Sequence, residues 1–252
     1  MLYRAQDLLF AELPAEQGKW TAVESVPALP QAGAHVWLCP LQNDNALVGF
    51  ATPEEKKRAE NMLPESKASE FLLSRGWLRV ILAGYIAGSS PGEIPLERSA
   101  EGKPFLTNHP DLQFNVSHSH GLAAIGIARQ SLGIDIEKLR PMPDWQSLAE
   151  GLLTNHTIAE ILQLPAADQA AGFLRSFTAR EAQLKAFGFG LSGILQAMDF
   201  HSIVVDHSTL SGNTRPPAAE IHNDTAPFPL PEIDGYVGHF CLAPAIAGPK
   251  TP

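Results

Sequence analysis

The sequence predicts an α+β fold, with helices and strands in both halves of the chain. Residues 66–85 and 168–187 carry apolar side chains at helical spacing, whereas residues 112–117, 122–128 and 133–137 are short and β-like. The 252 residues are enough for one large domain or two small ones with a buried core. The two halves resemble each other in that each combines helices with a few strands.

The composition narrows the class of protein. The formal net charge of −9 argues against nucleic acid as a partner. No apolar run approaches the ~20 residues of a membrane span, and the N-terminus lacks the apolar core of a signal peptide. Cys39 and Cys241 are too few and too far apart to imply a disulfide framework. We therefore expect a cytoplasmic protein that binds neither nucleic acid nor membrane.

The remaining elements of the first half follow from local signals. A proline and two glutamates open residues 53–62, which suits a helix N-terminus. Pro64 then interrupts, and Ser66 is a possible N-cap of the longer helix. Residues 34–39 are predicted as a strand, residues 102–104 as a turn leading to a short strand, and residues 118–121 as the connection between two strands.

The second half is predicted to be mainly helical before a final strand. Residues 140–143 read as a break rich in proline. Predicted after it are helices over 144–151, 155–163 and 168–187, a strand over 200–205, a long loop over 208–231 and a strand over 236–242.

Residues 133–137, Gly-Ile-Asp-Ile-Glu, carry the most chemistry. Side chains alternate between the two faces of a strand, so Asp135 and Glu137 share one face and the isoleucines bury the other. Two neighbouring carboxylates on a rigid strand supply half of a Mg²⁺ site. An ordinary half-buried strand with a solvated acidic face is the alternative interpretation.

A third carboxylate is predicted on the last long helix. Phe173, Phe177, Glu181 and Leu184 fall on one helical face, where a glutamate is costly unless it meets a cation or a metal. Lys185 follows Glu181 by one turn.

Two further observations bear on that helix. Gly188 and Gly190 suit its C-terminal end. Alternatively, Thr178-x-x-Glu181 matches a capping box, which would start a helix at residue 178. The continuous apolar pattern from Phe173 favours the longer helix.

Magnesium held by carboxylates usually serves phosphate chemistry, which also needs cations. Candidates are Lys103, His118, Lys185, Arg75 and Arg79. The run from Lys56 to Arg58 is either part of a local basic patch for an acidic partner or a solvated helix face. His118-x-His120 is an alternative pair of metal ligands, although three carboxylates describe a hard-metal site that does not favour imidazole.

Four motifs in order resemble those of the surfactin-type (Sfp-like) 4′-phosphopantetheinyl transferases. They are Gly-Lys-Pro at 102–104, Asn-Val-Ser-His at 115–118, Gly-Ile-Asp-Ile-Glu at 133–137, and the segment 177–191 with its Arg-Glu-x-x-x-Lys-x-x-Gly-x-Gly-Leu pattern. Each motif alone is weak, but their order and spacing over residues 53–205 are specific.

The resemblance implies a monomeric pseudodimer of two similar α+β subdomains with the active site in the cleft between them. Residues 1–128 would form the N-terminal subdomain, and residues 129–252 the C-terminal subdomain with the metal-binding acids. The reaction would move phosphopantetheine from coenzyme A onto a serine of an apo acyl or peptidyl carrier protein, with release of 3′,5′-ADP.

The resemblance also implies a role for each matched residue. Asp135, Glu137 and Glu181 would hold Mg²⁺, and Glu181 would be the base for the attacking hydroxyl, directly or through a metal-bound water. The catalytic set would be Glu181, Lys185 and Asp135. Coenzyme A would be bound by Arg75, Lys103, Ser117, His118 and Lys185, with Arg79 as a competing choice for Arg75.

Three positions depart from the family pattern, namely Phe177 for tryptophan, Arg180 for lysine and Thr157 for an acid. We expect the first to alter only packing and Arg180 to bridge an acid or phosphate at the edge of the cleft. Two other functions remain open at this point. One is a non-catalytic homologue that binds coenzyme A and carrier protein, and the other is a Mg²⁺-dependent phosphohydrolase.

Overall fold

The structure is a computed structural model that describes residues 33–99, 103–188 and 226–243, with residues 26 and 28–31 and the backbone of 2–5 and 8–12. Its strands are β1 (Leu2–Ala5), β2 (Leu8–Glu12), β3 (Ala34–Pro40), β4 (Glu97–Arg98), β5 (Pro104–Phe105), β6 (Gln113–Ser119), β7 (Leu122–Ala128), β8 (Leu132–Lys138), β9 (Phe228–Pro229) and β10 (Tyr236–Leu242). Its helices are α1 (Asn45–Gly49), α2 (Pro53–Glu60), α3 (Glu65–Tyr85), α4 (Trp145–Leu152), α5 (Asn155–Leu162) and α6 (Ala166–Ala186), with a 3₁₀ turn at Pro91–Glu93.

A five-stranded sheet forms the first half, in the order β1-β2-β3-β7-β6. Strands β2 and β3 run parallel, and the other neighbours run antiparallel. Helix α3 packs on this sheet through a core that includes Trp77, Leu78 and Ile81, all at most 1% exposed. Burial of these large apolar side chains is the main stabilising term of this half.

A three-stranded sheet in the order β8-β10-β9 forms the second half. Helix α6 lies directly on β8 and β10. The close approach depends on Gly133, because a Cβ at this position would overlap the carbonyl oxygen of Ala182 and crowd Lys185 Cβ. The contact brings the C-terminal turns of α6 over the residues that follow Gly133 in β8. Cys241 is fully buried on β10, and Cys39 is fully buried on β3 in the other sheet.

The two sheets meet where β6 runs beside β8, the edge strand of the second sheet. Three side chains of β6 accept hydrogen bonds from alternate backbone N–H groups of β8. Asn115 Oδ1 accepts from Ile134 at 3.0 Å, Ser117 Oγ from Ile136 at 3.4 Å, and Ser119 Oγ from Lys138 at 3.2 Å. We call these three residue pairs the seam. An edge strand needs partners for its outward N–H groups, and here side chains supply them.

The sequence-based assignment is confirmed for the α+β class. The five-stranded sheet and a small antiparallel sheet of β4 and β5 belong to the first half of the chain, and the three-stranded sheet belongs to the second. The assignment is also confirmed for the long helices and for the strand over 236–242. Thr178 lies inside α6 and donates to the carbonyl of Arg175 at 3.0 Å, so the capping-box alternative is wrong. The predicted domain boundary between residues 128 and 129 stays a prediction and lies in the connection from β7 to β8.

Three details of the assignment are wrong. Ser66 lies within α3, whose N-cap is Pro64 without a side-chain hydrogen bond. Strand β6 continues through His118 and Ser119, so the connection to β7 is only His120 and Gly121. The predicted loop over 208–231 contains β9 near its end.

Some sequence-based expectations lie outside the described residues, namely the strand over 200–205, Gly102 and Gly190. Within the described part of the chain, no helix has the length and hydropathy needed to cross a lipid bilayer.

Candidate active site at the seam

Asp135 is the centre of the candidate site. Its position on β8 points the side chain at the seam, where it is only 5% exposed. Oδ1 accepts hydrogen bonds from Ser117 Oγ at 2.7 Å and from Lys185 Nζ at 2.6 Å. Burial raises the pKa of Asp135, and Lys185 and the Ser117 hydroxyl oppose that rise. The other oxygen, Oδ2, is buried without a hydrogen-bond partner.

Helix α6 contributes Glu181 and Lys185 to the same place, one helical turn apart. Glu181 is 4% exposed, and its Oε1 has no hydrogen-bond partner among the described residues. Burial raises the pKa of Glu181, the negative charge of Asp135 adds to the rise, and Lys185 opposes it. Lys185 also donates to the carbonyl of Ile134 at 3.2 Å, which anchors its ammonium over β8.

Glu137 lies two residues after Asp135, with the predicted shared orientation toward the seam. Its Oε2 accepts from Ser119 Oγ at 2.8 Å and from Arg140 Nη1 at 2.9 Å. The negative charge of Glu137 acts on both other carboxylates, because it adds to the raised pKa of Asp135 and to that of Glu181. The three predicted acids therefore share one electrostatic environment.

The donor set suits a hard cation. Among the residues that the structure describes, no three His, Cys, Asp or Glu side chains are arranged closely enough to hold a metal ion. Asp135 Oδ2 and Glu181 Oε1 are nevertheless buried carboxylate oxygens without a partner. Such oxygens are costly to bury alone and are the ligands that Mg²⁺ prefers. The chemistry of these oxygens fits a bound Mg²⁺. The two histidines of the alternative His118-x-His120 site have different neighbours: His118 Nδ1 is 3.4 Å from Glu70 Oε2, and His120 Nδ1 is 2.9 Å from Ser119 Oγ.

Arg75 and Arg79 lie one turn apart on α3 and differ in their surroundings. Arg79 is 1% exposed, and its Nη1 pairs with Glu55 Oε2 at 2.9 Å. Arg75 lies over the ring of Phe71 at 5.1 Å, and its Nε is 3.7 Å from Glu55 Oε1. Two buried nitrogens of Arg75 have no hydrogen-bond partner, and burial lowers its pKa to about 10. Of these two arginines, Arg75 is therefore the one with buried N–H donors available for a ligand.

His118 lies between the arginine and the carboxylates. Its Nδ1 is 3.4 Å from Glu70 Oε2, without hydrogen-bond geometry. Burial lowers the pKa of His118, Glu70 opposes this, and the positive charges of Lys185 and Arg75 lower it further. Because Lys185 and Arg75 both lower the pKa of His118, the imidazole lies close enough to feel the positive charge of each.

Lys103 lies apart from the acids, against the C-terminal end of α6. Its Nζ is 3.4 Å from Ser131 Oγ and 3.5 Å from the carbonyl of Lys185, both long for hydrogen bonds. Burial lowers the pKa of Lys103. The structure therefore groups the three carboxylates with Ser117 and Lys185 at the seam. Lys103 lies against the end of α6, and Arg79 is paired with Glu55.

The three departures from the family pattern have separate structural settings. Phe177 stacks on Phe173 at 5.9 Å, which is a packing role. Thr157 belongs to the N-terminus of α5, where its N–H donates to Thr154 Oγ1 at 3.1 Å. Arg180 makes no hydrogen bond or ion pair with another described residue, and it lines a groove of about 590 Å³ beside α4 and α5. The bridging role expected for Arg180 is therefore not seen in the described residues.

Four participants were missed by sequence reasoning: Ser119, Arg140, Glu55 and Glu70. Ser119 could have been found, because it stands in the same alternation as Asn115 and Ser117 and faces Glu137 as Ser117 faces Asp135. Glu55 and Glu70 carry no such signal, because their contacts depend on how the first helices pack.

Comparison with known proteins covers both halves. A family model described as "4'-phosphopantetheinyl transferase, N-terminal" matches residues 37–130, and one described as "4'-phosphopantetheinyl transferase superfamily" matches residues 131–241.

Individual relatives agree with these models. The chain is 35% identical over 167 residues to the 4'-phosphopantetheinyl transferase HetI of Nostoc sp., covering 63% of this chain and 70% of the relative. It is 29% identical over 163 residues to psf-1 of Bacillus pumilus (62% and 69% covered) and 26% identical over 152 residues to Sfp of Bacillus subtilis (60% and 66% covered). The predicted family is confirmed, and this chain belongs to the 4'-phosphopantetheinyl transferase superfamily.

Proposed function

We propose that this chain transfers the 4′-phosphopantetheine group of coenzyme A to a serine of an apo acyl or peptidyl carrier protein and releases 3′,5′-ADP. The observation that carries the proposal is the group at the seam, where buried Asp135 pairs with Lys185 Nζ at 2.6 Å and the charges of both act on buried Glu181. This arrangement provides both a base and a positive charge in one water-poor place. Family membership supports the same reaction.

In this reaction the carrier serine forms a bond to the β-phosphorus of coenzyme A, and the bond from that phosphorus to the bridging oxygen breaks. The leaving group is 3′,5′-ADP. We assign Glu181 as the acceptor of the serine proton, because a carboxylate whose pKa is raised by burial is a better base at neutral pH. Lys185 contributes positive charge next to the developing phosphate charge.

Asp135, Glu137 and Glu181 would hold Mg²⁺. When bound, Mg²⁺ supplies positive charge to the pyrophosphate oxygens and orients them. The chain itself fixes the carboxylates through Ser117 and Ser119 before any ligand arrives.

We assign the nucleotide end of coenzyme A to Arg75 and Lys103. Further contacts with its phosphates are assigned to Ser117, His118 and Lys185. Arg75 supports this assignment most strongly, because its buried guanidinium has two nitrogens without a partner. A planar guanidinium matches the oxygens of a phosphate well. The carrier protein would approach through the exposed run Lys56, Lys57 and Arg58 on α2. We further propose a cytoplasmic monomer with the domain boundary between residues 128 and 129.

The test uses purified protein, coenzyme A, Mg²⁺ and a panel of apo carrier proteins, with intact-protein mass spectrometry as the readout. We expect at least one carrier to gain the mass of a single phosphopantetheine, with release of one equivalent of 3′,5′-ADP. A carrier whose acceptor serine is changed to alanine is the matched control and should gain nothing.

Two outcomes would contradict the proposal. Release of 3′,5′-ADP at the same rate without any carrier would indicate a phosphohydrolase. Binding of coenzyme A and carrier without any mass gain across the panel would indicate a non-catalytic homologue.

A further inference from the structure

Ser119 is a buried hydroxyl with three polar neighbours. It is 6% exposed, and its Oγ accepts from the backbone N–H of Lys138 at 3.2 Å. The same oxygen is 2.8 Å from Glu137 Oε2 and 2.9 Å from His120 Nδ1. Ser119 lies at the end of β6. It contacts two neighbouring residues of β8, one of them the proposed ligand Glu137, and it also contacts the turn that follows β6.

The hydrogen count at Ser119 Oγ fixes the direction of each bond. A hydroxyl has one hydrogen to donate and two lone pairs to accept with, whereas an ionised carboxylate only accepts. The Ser119 hydrogen therefore goes to Glu137, and the backbone N–H of Lys138 uses one lone pair. The remaining lone pair requires a donor, so the neutral imidazole of His120 carries its hydrogen on Nδ1.

His120 stands in a backbone conformation that histidine rarely adopts. Its φ is +46° and that of Gly121 is +87°, so the pair forms a two-residue hairpin turn with both φ values positive. Asparagine or glycine usually fills the first position, since other residues are strained there. The carbonyl of His120 also accepts from the Tyr236 hydroxyl at 2.7 Å. The contact of the imidazole with Ser119 gives a reason for a histidine at this strained position.

The arrangement at Ser119 repeats the one at Ser117. Each serine accepts an N–H from the residue that follows a carboxylate and donates its own hydrogen to that carboxylate. Both hydrogen bonds that the structure gives Glu137 end on Oε2, and both of those on the Asp135 side chain end on Oδ1. One oxygen of each carboxylate is thus held by the chain, which leaves the other for a cation.

We propose that Ser119, supported by His120, is a positioning residue that orients Glu137 for the Mg²⁺-dependent step. This inference rests on the proposed function. Residues that orient a metal ligand typically change metal affinity or activity by about 10- to 100-fold when removed. The effect should fall on the Mg²⁺ requirement rather than on coenzyme A affinity.

The experiment compares the full-length parent with Ser119→Ala, Ser119→Thr and His120→Gly. We expect Ser119→Ala to raise the Mg²⁺ concentration for half-maximal transfer by about tenfold or more, with little change in the KM for coenzyme A. Ser119→Thr keeps the hydroxyl and should keep the parental Mg²⁺ requirement. Ser90→Ala is the matched control, because Ser90 donates to Glu93 at a similar 2.7 Å in an exposed turn far from the seam in sequence.

A second readout needs neither metal nor turnover. At pH 8, where an ordinary imidazole is neutral, ¹⁵N–¹H correlation spectra report which ring nitrogen of His120 carries the hydrogen. We expect the Nδ1–H form in the parent and in Ser119→Thr, and conversion to Nε2–H in Ser119→Ala. If Ser119→Ala does not fold, His120→Gly decides the matter through the Mg²⁺ readout alone. It removes the imidazole contact to Ser119 and should raise the Mg²⁺ concentration for half-maximal transfer, and a parental Mg²⁺ requirement in His120→Gly would overturn the inference.

The outcomes separate this inference from the proposed function. A parent that transfers nothing refutes the proposed function, and the tautomer measurement still tests the Ser119 contact. A parent that transfers normally while Ser119→Ala keeps the parental Mg²⁺ requirement overturns the inference, whatever the tautomer of His120. An Nε2–H parent overturns it as well.

Discussion

At the scale of single residues, partners decide chemistry more than residue type does. Arg75 and Arg79 are one helical turn apart, yet Arg79 pairs with Glu55 at 2.9 Å and Arg75 has two buried nitrogens without a hydrogen-bond partner. The sequence left both open as coenzyme A contacts, because a helical pattern gives the direction of a side chain but not its partner. Glu55 is itself held by the capping box of α2, in which it accepts from the N–H of Thr52 at 3.0 Å.

Arg75→Gln should weaken coenzyme A binding. A charge-assisted hydrogen bond contributes roughly 1.5–3 kcal/mol, which corresponds to about 10- to 100-fold in Kd. If Arg75 contacts the 3′-phosphate, the loss should vanish with dephospho-coenzyme A, which lacks that group. Calorimetric titration of both compounds measures the effect.

Arg58→Gln is the matched control, because the Arg58 guanidinium lies 5.2 Å from the same Phe71 ring but on the exposed helix α2. It should bind coenzyme A like the parent. Equal losses with coenzyme A and dephospho-coenzyme A in Arg75→Gln would assign the arginine to another part of the ligand.

His239 should make stability depend on pH. Its pKa is lowered to about 4 by burial and by the positive charge of Arg175, and its Nδ1 is 2.8 Å from Thr178 Oγ1. In the unfolded chain the imidazole takes up a proton near pH 6.5. This group's contribution is therefore complete above about pH 6.5 and is lost as the pH falls toward 4.

The upper bound of that contribution is about 3 kcal/mol, and solvent screening at the partly exposed ring reduces it. His239→Gln cannot titrate, so its free energy of unfolding should fall less than the parental value between pH 6.5 and 4. Urea denaturation at a series of pH values provides the comparison. Parallel curves for the two proteins would show that His239 keeps its ordinary pKa in the folded chain.

At the scale of elements, the long helix α6 was predictable because apolar spacing over about three turns, from Phe173 to Leu184, outweighs a local capping signal. The turn after β6 was not, because a histidine with positive φ contradicts ordinary turn preferences and is explained only by contacts distant in sequence. The contact of α6 with β8 was equally hidden. A glycine inside a strand indicates that another group approaches closely, but only the fold shows that at Gly133 this group is the backbone of α6.

Gly133→Ala should displace α6 and damage the site. A Cβ there meets backbone atoms of Ala182 and Ala186, which cannot rotate away, so we expect a loss of about 1–3 kcal/mol or more in the free energy of unfolding. Transfer activity should fall even where the variant stays folded, since Glu181 and Lys185 move with the helix. Denaturant unfolding and initial rates measure the two effects separately.

Gly151→Ala is the matched control on α4, since its Cβ would meet nothing within 4 Å. Since glycine in a helix is less favourable than alanine, Gly151→Ala should raise the free energy of unfolding by about 0.5–1 kcal/mol. Full activity and stability in Gly133→Ala would mean that α6 does not lie as close to β8 as described.

At the scale of the whole molecule, the sequence gives the net charge directly but does not show which charged residues contact a partner. The net charge of −9 gives no general attraction to an acidic carrier protein, so docking must rely on a local patch. The run Lys56, Lys57 and Arg58 is exposed on α2, which agrees with either proposed interpretation of it. The family and its α+β fold were predictable from four short motifs. The seam between the five-stranded and three-stranded sheets was not, because it depends on the register between strands that are distant in sequence.

Replacing Lys56 and Lys57 with glutamine should lower the affinity for an acidic carrier and flatten its salt dependence. Exposed charges are screened over about 10 Å at 0.1 M salt, so the parental KM for carrier should rise with ionic strength. Steady-state kinetics at several salt concentrations test this. A parental KM for carrier that ignores salt would indicate an apolar interface and refute the patch.

Because Cys39 and Cys241 are buried, their reaction with a thiol reagent can report when each half of the chain unfolds. Each thiol is fully buried, one in each sheet, and the sequence contains only these two cysteines. Burial raises the pKa of both, so neither reacts with an alkylating reagent until its strand is exposed. Peptide-resolved alkylation rates would time the two halves independently and show whether the seam makes them unfold as one unit.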